Sequence, residues 1–246
     1  MTSTSTHSKP MVLGVIMARG GSRGLTDKHT RLLLDRPVIS YTLDHARASE
    51  HLSHVIVSTD SNAIATIANT TRFETLHRPA ELCTDTASVQ GVMLHALAHV
   101  ERSAGATFDA AVILYGNVAV RGAGVIDRAI EHWNQTRCDS VRTFCPVGKW
   151  HPGWMSRLEG DRVEALRPGS IHRRQDLEPL FLHDGACVVM SRASLLRGEE
   201  TPDDPHAMFG VDRRGITTAA DDTVEIDTLR DLYWAEAVLR ARMEGM

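Results

Sequence analysis

What most constrains this chain is its alternation of short valine- and isoleucine-rich runs with stretches of helical periodicity. Candidate strands are Val12–Met17, His54–Ser58, Ala111–Tyr115, Ser140–Cys145 and Ala186–Met190. Several are apolar throughout, the pattern of strands covered on both faces. Between or after them the periodicity predicts helices at Val38–Ala48, Ser61–Asn69, Val89–Arg102, Gly124–Asn134 and Leu229–Arg242. In the third of these, Val89, Val92, Met93, Ala96, Leu97 and Val100 form one apolar stripe, with Thr86 or Ser88 available as its cap. Asp227-Thr228 offers a cap for the last. Repeated β–α alternation implies an α/β fold, a mostly parallel sheet flanked by helices.

The 246 residues suit one large α/β domain, and 42% hydrophobic against 24% charged residues is ordinary for a sizeable core. Residues 1–10 read as a polar tail and 11–246 as a single domain. From about 146 to 183 the chain is dense in Pro, Gly, Trp and Arg ("PVGKWHPGWM", "LRPGSIHRRQ", "LEPLF"), an excursion from the sheet and not a second domain. With 27 Lys+Arg against 31 Asp+Glu, a nucleic-acid partner has no support. The first apolar run is far shorter than the roughly 20 residues of a membrane span. The four cysteines form no C-x-x-C pair and read as free thiols. A cytoplasmic location with no membrane contact is expected.

Ligands of α/β proteins gather where strands end, and the first strand ends in "ARGGSRG" (Ala18–Gly24). Glycines let backbone amides approach an anion, and Arg19, Arg23 and Lys28 add charge. The spacing matches neither G-x-G-x-x-G nor G-x-x-x-x-G-K-[ST], so the segment reads as a phosphate-binding loop or as a plain turn. In "VEIDT", strand alternation puts Glu225 and Asp227 on one face, two carboxylates that suit a shared Mg²⁺ beside phosphates. The alternative is a strand-end carboxylate followed by a helix cap. "HRRQD" offers Arg173, Arg174 and Gln175 to an acidic substrate, or forms a solvated basic loop. His95 and His99, at i and i+4, lack a third ligand and read as an outward-facing pair.

Taken in order, "ARGGSRGLTDKH", "DRPVISYTLDHA", "VIVSTDS", "RPAELCTDTAS", "RRQDLEPLF", "DGACVV" and "VEIDT" resemble the acylneuraminate cytidylyltransferases along nearly the whole chain. The resemblance implies a Rossmann-like nucleotidyltransferase fold and a homodimer, with the excursion at about 146–183 serving dimerisation. It implies transfer of CMP from CTP to the hydroxyl of an acidic sugar, sialic-acid-like or a related acid, with release of pyrophosphate. By position, Arg19, Lys28 and Asp227 would be catalytic, with Arg19 and Lys28 holding the phosphates beside Ser22 and the neighbouring amides, and Ala18, Gly20, Gly21, Ser22 and His29 would bind the nucleotide. Arg78, Ala87 and Ser88 would hold the cytidine; Asp227 and Glu225 would bind Mg²⁺. Tyr115, Asn117, Arg173 and Gln175 would face the acceptor. Three departures stand out: His29 where the family has Asn, "LYGNVAVR" where it has "LQPTSPLR", and Glu225 where it has Asp. They leave open another nucleotide, a sugar phosphate or phosphonate acceptor, or a non-catalytic nucleotide-binding homologue.

Overall fold

The computed structural model describes residues 9–21, 24–167, 169, 173–200 and 204–245. Strand β1 (Val12–Met17) leads through a small hairpin, β2 (Leu32–Leu33) and β3 (Arg36–Pro37), into helix α1 (Val38–Ala48). Then follow β4 (His54–Thr59), α2 (Asn62–Thr70), β5 (Glu74–His77), α3 (Val89–Ala104), β6 (Ala110–Tyr115), β7 (Val118–Val120), α4 (Val125–Thr136) and β8 (Ser140–Pro146). The excursion holds β9 (Ser156–Glu159) and β10 (Arg162–Ala165); β11 (Phe181–Ser191), α5 (Arg192–Arg197), β12 (Arg213–Thr217), β13 (Val224–Glu225) and α6 (Leu229–Met243) complete the order.

Seven strands make the main sheet in the order β12-β8-β11-β6-β1-β4-β5. Strand β11 runs antiparallel to both β8 and β6, and the remaining neighbours are parallel. The sheet is therefore mostly parallel, as the sequence pattern implies, with one reversed strand inserted. Central strands β1 and β6 are buried along almost their whole length, which is why they read as unbroken apolar runs. One face packs on α1, α2 and α4 through residues such as Ile39, Leu43, Ile126 and Trp133. The other packs on α3 and on Leu195, Met208 and Phe209. A third cluster seats α6 against α1 and the β7–β13 pair through Tyr41, Val224, Ile226 and Leu232.

The caps fall near the sequence signals. The Ser88 hydroxyl, not Thr86, accepts from the Gly91 amide at 3.0 Å, and Gly105 (φ +61°) ends α3 in the left-handed region. Thr228 and Asp231 form a reciprocal capping box on α6. That box fixes the direction in which the chain leaves Asp227. All four cysteines are free. Among the described residues no helix is long and apolar enough to cross a membrane. The His95–His99 pair is not simply outward-facing: His95 Nδ1 is buried without a hydrogen-bond partner among the described residues, and His99 Nε2 lies 3.5 Å from Glu74 Oε1.

In the excursion, the β9–β10 hairpin stands apart from the main sheet with all eight residues exposed. Leu158 and Val163 are paired across it and are 72% and 70% exposed. A two-stranded ribbon with no core of its own is marginal in water.

Candidate active site

At the carboxyl end of β1 and β6 lies a cavity of about 380 Å³. Of the residues singled out in the sequence, Arg19, Lys28, His29, Arg78, Ala87, Tyr115, Asn117, Glu225 and Asp227 all line it. Segments more than 200 residues apart meet because parallel strands put their ends on one edge of the sheet.

The loop after β1 is tied to the far end of the chain. A Cβ on Gly24 would lie 2.5 Å from the Asp227 carbonyl oxygen, and the Leu25 amide donates to that oxygen at 2.9 Å. Only glycine allows this approach. The Lys28 ammonium then donates to Asp227 Oδ1 at 2.6 Å. Arg19 donates to Asp85 Oδ1 at 2.6 Å, and the Gly20 amide to Asp60 Oδ1 at 2.7 Å. Gly21 is exposed and takes a left-handed φ of +64°. Ala18 is fully buried beneath the loop, and Ser22 lies outside the described residues.

Asn117 organises the carboxylates. Its Nδ2 lies 3.2 Å from Glu225 Oε1, 3.2 Å from Asp227 Oδ1 and 3.1 Å from the Ile226 carbonyl oxygen. Simple strand alternation does not bring the pair together, because β13 ends at Glu225. The amide between them does. Burial, and next the charge of Asp227, push the Glu225 carboxyl above its ordinary range. The two acids share one neutral donor, Asn117, and one cation, Lys28, which pairs with Asp227 alone.

His29 is buried under the loop, its Cδ2 3.0 Å from where a Gly116 Cβ would stand. Burial and the neighbouring Lys28 hold its pKa down to about 3, so the ring is neutral. Arg78, also buried, donates through Nε to Ser58 Oγ and through Nη2 to the Ser58 carbonyl oxygen, both at 2.9 Å. Burial lowers its pKa. Asp60, Asp85 and Arg121 belong to this constellation and were not singled out from the sequence. Asp60 was accessible from strand order alone, since β4 is the neighbour of β1.

Arg121 is the most unusual of the three. Fully buried, it donates to the carbonyl oxygens of Val118 (2.7 Å), Ala186 (2.8 Å) and Tyr115 (2.9 Å) and to Thr42 Oγ1 (2.9 Å). A buried cation is tolerable only when its donors are met, and these acceptors meet them. The result is a rigid β6–β7 turn that fixes Tyr115 and Asn117. Burial pulls the Arg121 pKa down to about 10, still well above neutrality.

Tyr115 is the divide. It lines this cavity and also a second, adjoining one of about 810 Å³. The second cavity is walled by Val89, Leu94, Pro205, Met208 and Phe209 and edged by Ser88 and Gln90. Burial and Glu225 raise the pKa of the Tyr115 phenol, which stays a donor. Ser88 thus faces the second cavity instead of the first. Arg173 and Gln175 line neither. They sit on an exposed turn of the excursion, with Arg173 paired to Asp176 at 2.8 Å.

The fold is that of a nucleotidyltransferase. The structure of a CMP:2-keto-3-deoxy-manno-octonic acid synthetase complexed with CTP superposes with a TM-score of 0.73 over 94% of this chain and 99% of that one, at 16% identity. The cytidylyltransferase family model matches residues 13–165. The chain is 28% identical to the post-translational flagellin modification protein B of Campylobacter coli over 88% of its own length and 91% of that protein. It is 30% identical to an N-acylneuraminate cytidylyltransferase of Streptococcus agalactiae over 74% of its length but only 44% of that protein. This chain belongs to the cytidylyltransferase family, to whose members it is only distantly similar in sequence.

Proposed function

We propose that this cytidylyltransferase transfers CMP from CTP to the hydroxyl of an acidic sugar, with Mg²⁺ held at Asp227 and Glu225, and that it works as a homodimer. The observation that carries the reading is the junction at Tyr115, where a cavity lined with acids and bases opens into a larger one lined mainly by apolar groups. A triphosphate suits the first and a substituted acceptor the second. The similarity to an N-acylneuraminate cytidylyltransferase supports the choice of an acidic sugar.

Phosphoryl transfer asks a protein chiefly for alignment and charge neutralisation. Arg19 and Lys28 are held against Asp85 and Asp227 and exchange those partners for phosphate oxygens. Arg78 and Ala87 bound the nucleoside end, and the neutral His29 packs under the loop. Asp227 and Glu225 fit Mg²⁺ by donor chemistry: two oxygen-bearing groups converge on one amide, and an ammonium already lies against Asp227. Mg²⁺ takes one or two carboxylates and completes its shell with phosphate oxygens and water, so this pair suffices to hold it. Bound there, Mg²⁺ supplies positive charge to the triphosphate. Asn117 keeps the two carboxylates at a fixed separation, and Tyr115 orients the incoming hydroxyl toward the α-phosphorus.

The exposed Leu158 and Val163 support dimerisation, because a second copy would cover the hairpin and give it a core. It would also bring Arg173 and Gln175 toward the other subunit's acceptor. Incubation with CTP, Mg²⁺ and a panel of acidic sugars is expected to release pyrophosphate, from a species that sediments as a dimer. CTP binding without turnover on any acid would overturn the transferase reading.

A further inference from the structure

Asp184 lines neither cavity, yet its bonds lead to Glu225. It stands where the register of β11 against β8 shifts, between His183 and Val188. Its carboxylate accepts from four donors. Oδ1 takes the Thr143 hydroxyl and, at 3.0 Å, the Ala186 amide; Oδ2 takes the hydroxyls of Thr218 (2.6 Å) and Thr223 (3.1 Å). Two carboxylate oxygens offer about four acceptor sites, so the group is fully used. All four of these donors are neutral, so no ion pair among the described residues explains an acid here.

Two routes run from Asp184 to Glu225. Along the chain, Thr223 directly precedes β13, whose last residue is Glu225, so the bond to Asp184 pins the entry to that strand. Strand β13 is only two residues long and pairs irregularly with β7, so its own ladder holds Glu225 weakly. Through the core, the Ala186 carbonyl oxygen accepts from Arg121 Nε at 2.8 Å, and Arg121 fixes the turn that carries Asn117, the partner of Glu225 Oε1. Gly185 lies against the other carboxylate oxygen. A Cβ there would stand 3.2 Å from Glu225 Oε2, and the φ of +76° disfavours a side chain in any case.

We infer that Asp184 is a positioning residue for the metal site, which through Thr223 and the Gly185 bulge fixes where the Glu225 carboxylate stands beside Asp227. This rests on the Mg²⁺ reading above and adds what holds one of its two carboxylates in place.

The test reads metal binding directly, by electron paramagnetic resonance of Mn²⁺ added to the full chain with CTP. Thr223→Val removes the hydroxyl at nearly constant shape and should weaken Mn²⁺ about fivefold, one neutral hydrogen bond's worth. Asp184→Ala should weaken it roughly tenfold or more, because several bonds go together. Thr223→Ser keeps the hydroxyl and should bind Mn²⁺ like the wild type. CTP affinity in EDTA should be unchanged in all three, which a general loosening of the site would not allow. Wild-type Mn²⁺ affinity in Thr223→Val overturns the role of Asp184, whether or not Asp184→Ala folds. The same loss in Thr223→Ser, or a parallel loss of CTP affinity in EDTA, overturns it too. Glu225→Gln tests the reading beneath: if that variant binds Mn²⁺ like the wild type, Glu225 is no metal ligand, and both fall.

Discussion

The two cavities share Tyr115 and Val89 yet are built on different physics. In the smaller one, charges come already matched: Arg19 with Asp85, Lys28 with Asp227, Asn117 between two carboxylates. A ligand that enters must replace each partner it removes, or a partly buried charge is left without its match. In the larger one, apolar walls of Val89, Leu94, Met208 and Phe209 shed water and ask chiefly for a shape that fills them. Few ligands can meet the first requirement, whereas many shapes can meet the second. Under the proposed assignment, the nucleotide end is the tightly specified one and the acceptor end the permissive one.

Three substitutions probe that contrast. The largest effect is expected for Asp227→Ala and Lys28→Ala, each of which leaves the other charge unmatched and removes stabilisation from the transferring phosphoryl group. Turnover should fall roughly 10²-fold or more, with the preference among acceptors intact. A variant that kept near-normal turnover would show that the matched charges are structural only. A smaller effect, about tenfold in kcat, is expected for Asn117→Ala. With no donor between Glu225 and Asp227, the carboxylates repel, and the Mg²⁺ concentration for half-maximal rate should rise. An unchanged Mg²⁺ titration would mean that backbone ties alone position the pair.

The sequence exposes these two regions unequally. Strands β1 and β6 announce themselves because both faces are covered, and α1 spans Val38–Ala48 as its apolar pattern implies. Strand β12, by contrast, sits at the sheet edge with exposed Arg213 and Arg214, so burial leaves no mark on it. The antiparallel insertion of β11 is equally silent, since direction is decided by what packs around a strand and not by its composition. Its first residues, Phe181 and Leu182, are exposed and precede a register shift, so only Ala186–Met190 reads as a strand. Within the site, contiguous motifs carry Arg19, Lys28, Arg78 and Asp227. Asp60 and Asp85 lie inside quoted motifs too, but their pairing with Gly20 and Arg19 emerges only in the fold, and Arg121 joins through the core. The larger cavity is edged by Thr86, Ser88 and Tyr115, but its walls come from α3 and from Gly198, Pro205, His206, Met208 and Phe209, which belong to no motif.

The smallest effect separates the regions by pH. His29 under the nucleotide loop and His45 in the core are each held neutral down to a pKa of about 3, chiefly by burial. Neither lines the larger cavity. His45 Nδ1 lies 3.4 Å from Arg121 Nη1, a contact in which the guanidinium donates and the imidazole must be unprotonated. In the unfolded chain both rings take a proton near pH 6.5, whereas the folded chain refuses it until about pH 3. The unfolded state therefore binds more protons between those values. Stability is full above pH 6.5 and is lost as pH falls, by up to about 1.4 kcal/mol per pH unit for each histidine. His29→Asn and His45→Gln should each flatten that slope in urea unfolding between pH 7.5 and 4.5. Carboxylate contributions are common to variant and parent, so the difference isolates the imidazole. His29→Asn should in addition keep CTP turnover, because Asn is the residue expected there in the acylneuraminate branch. If instead the slope persists in both variants, the acid sensitivity lies in the carboxylates around Asp227, and the nucleotide cavity is limited by its acids and not by its buried ring.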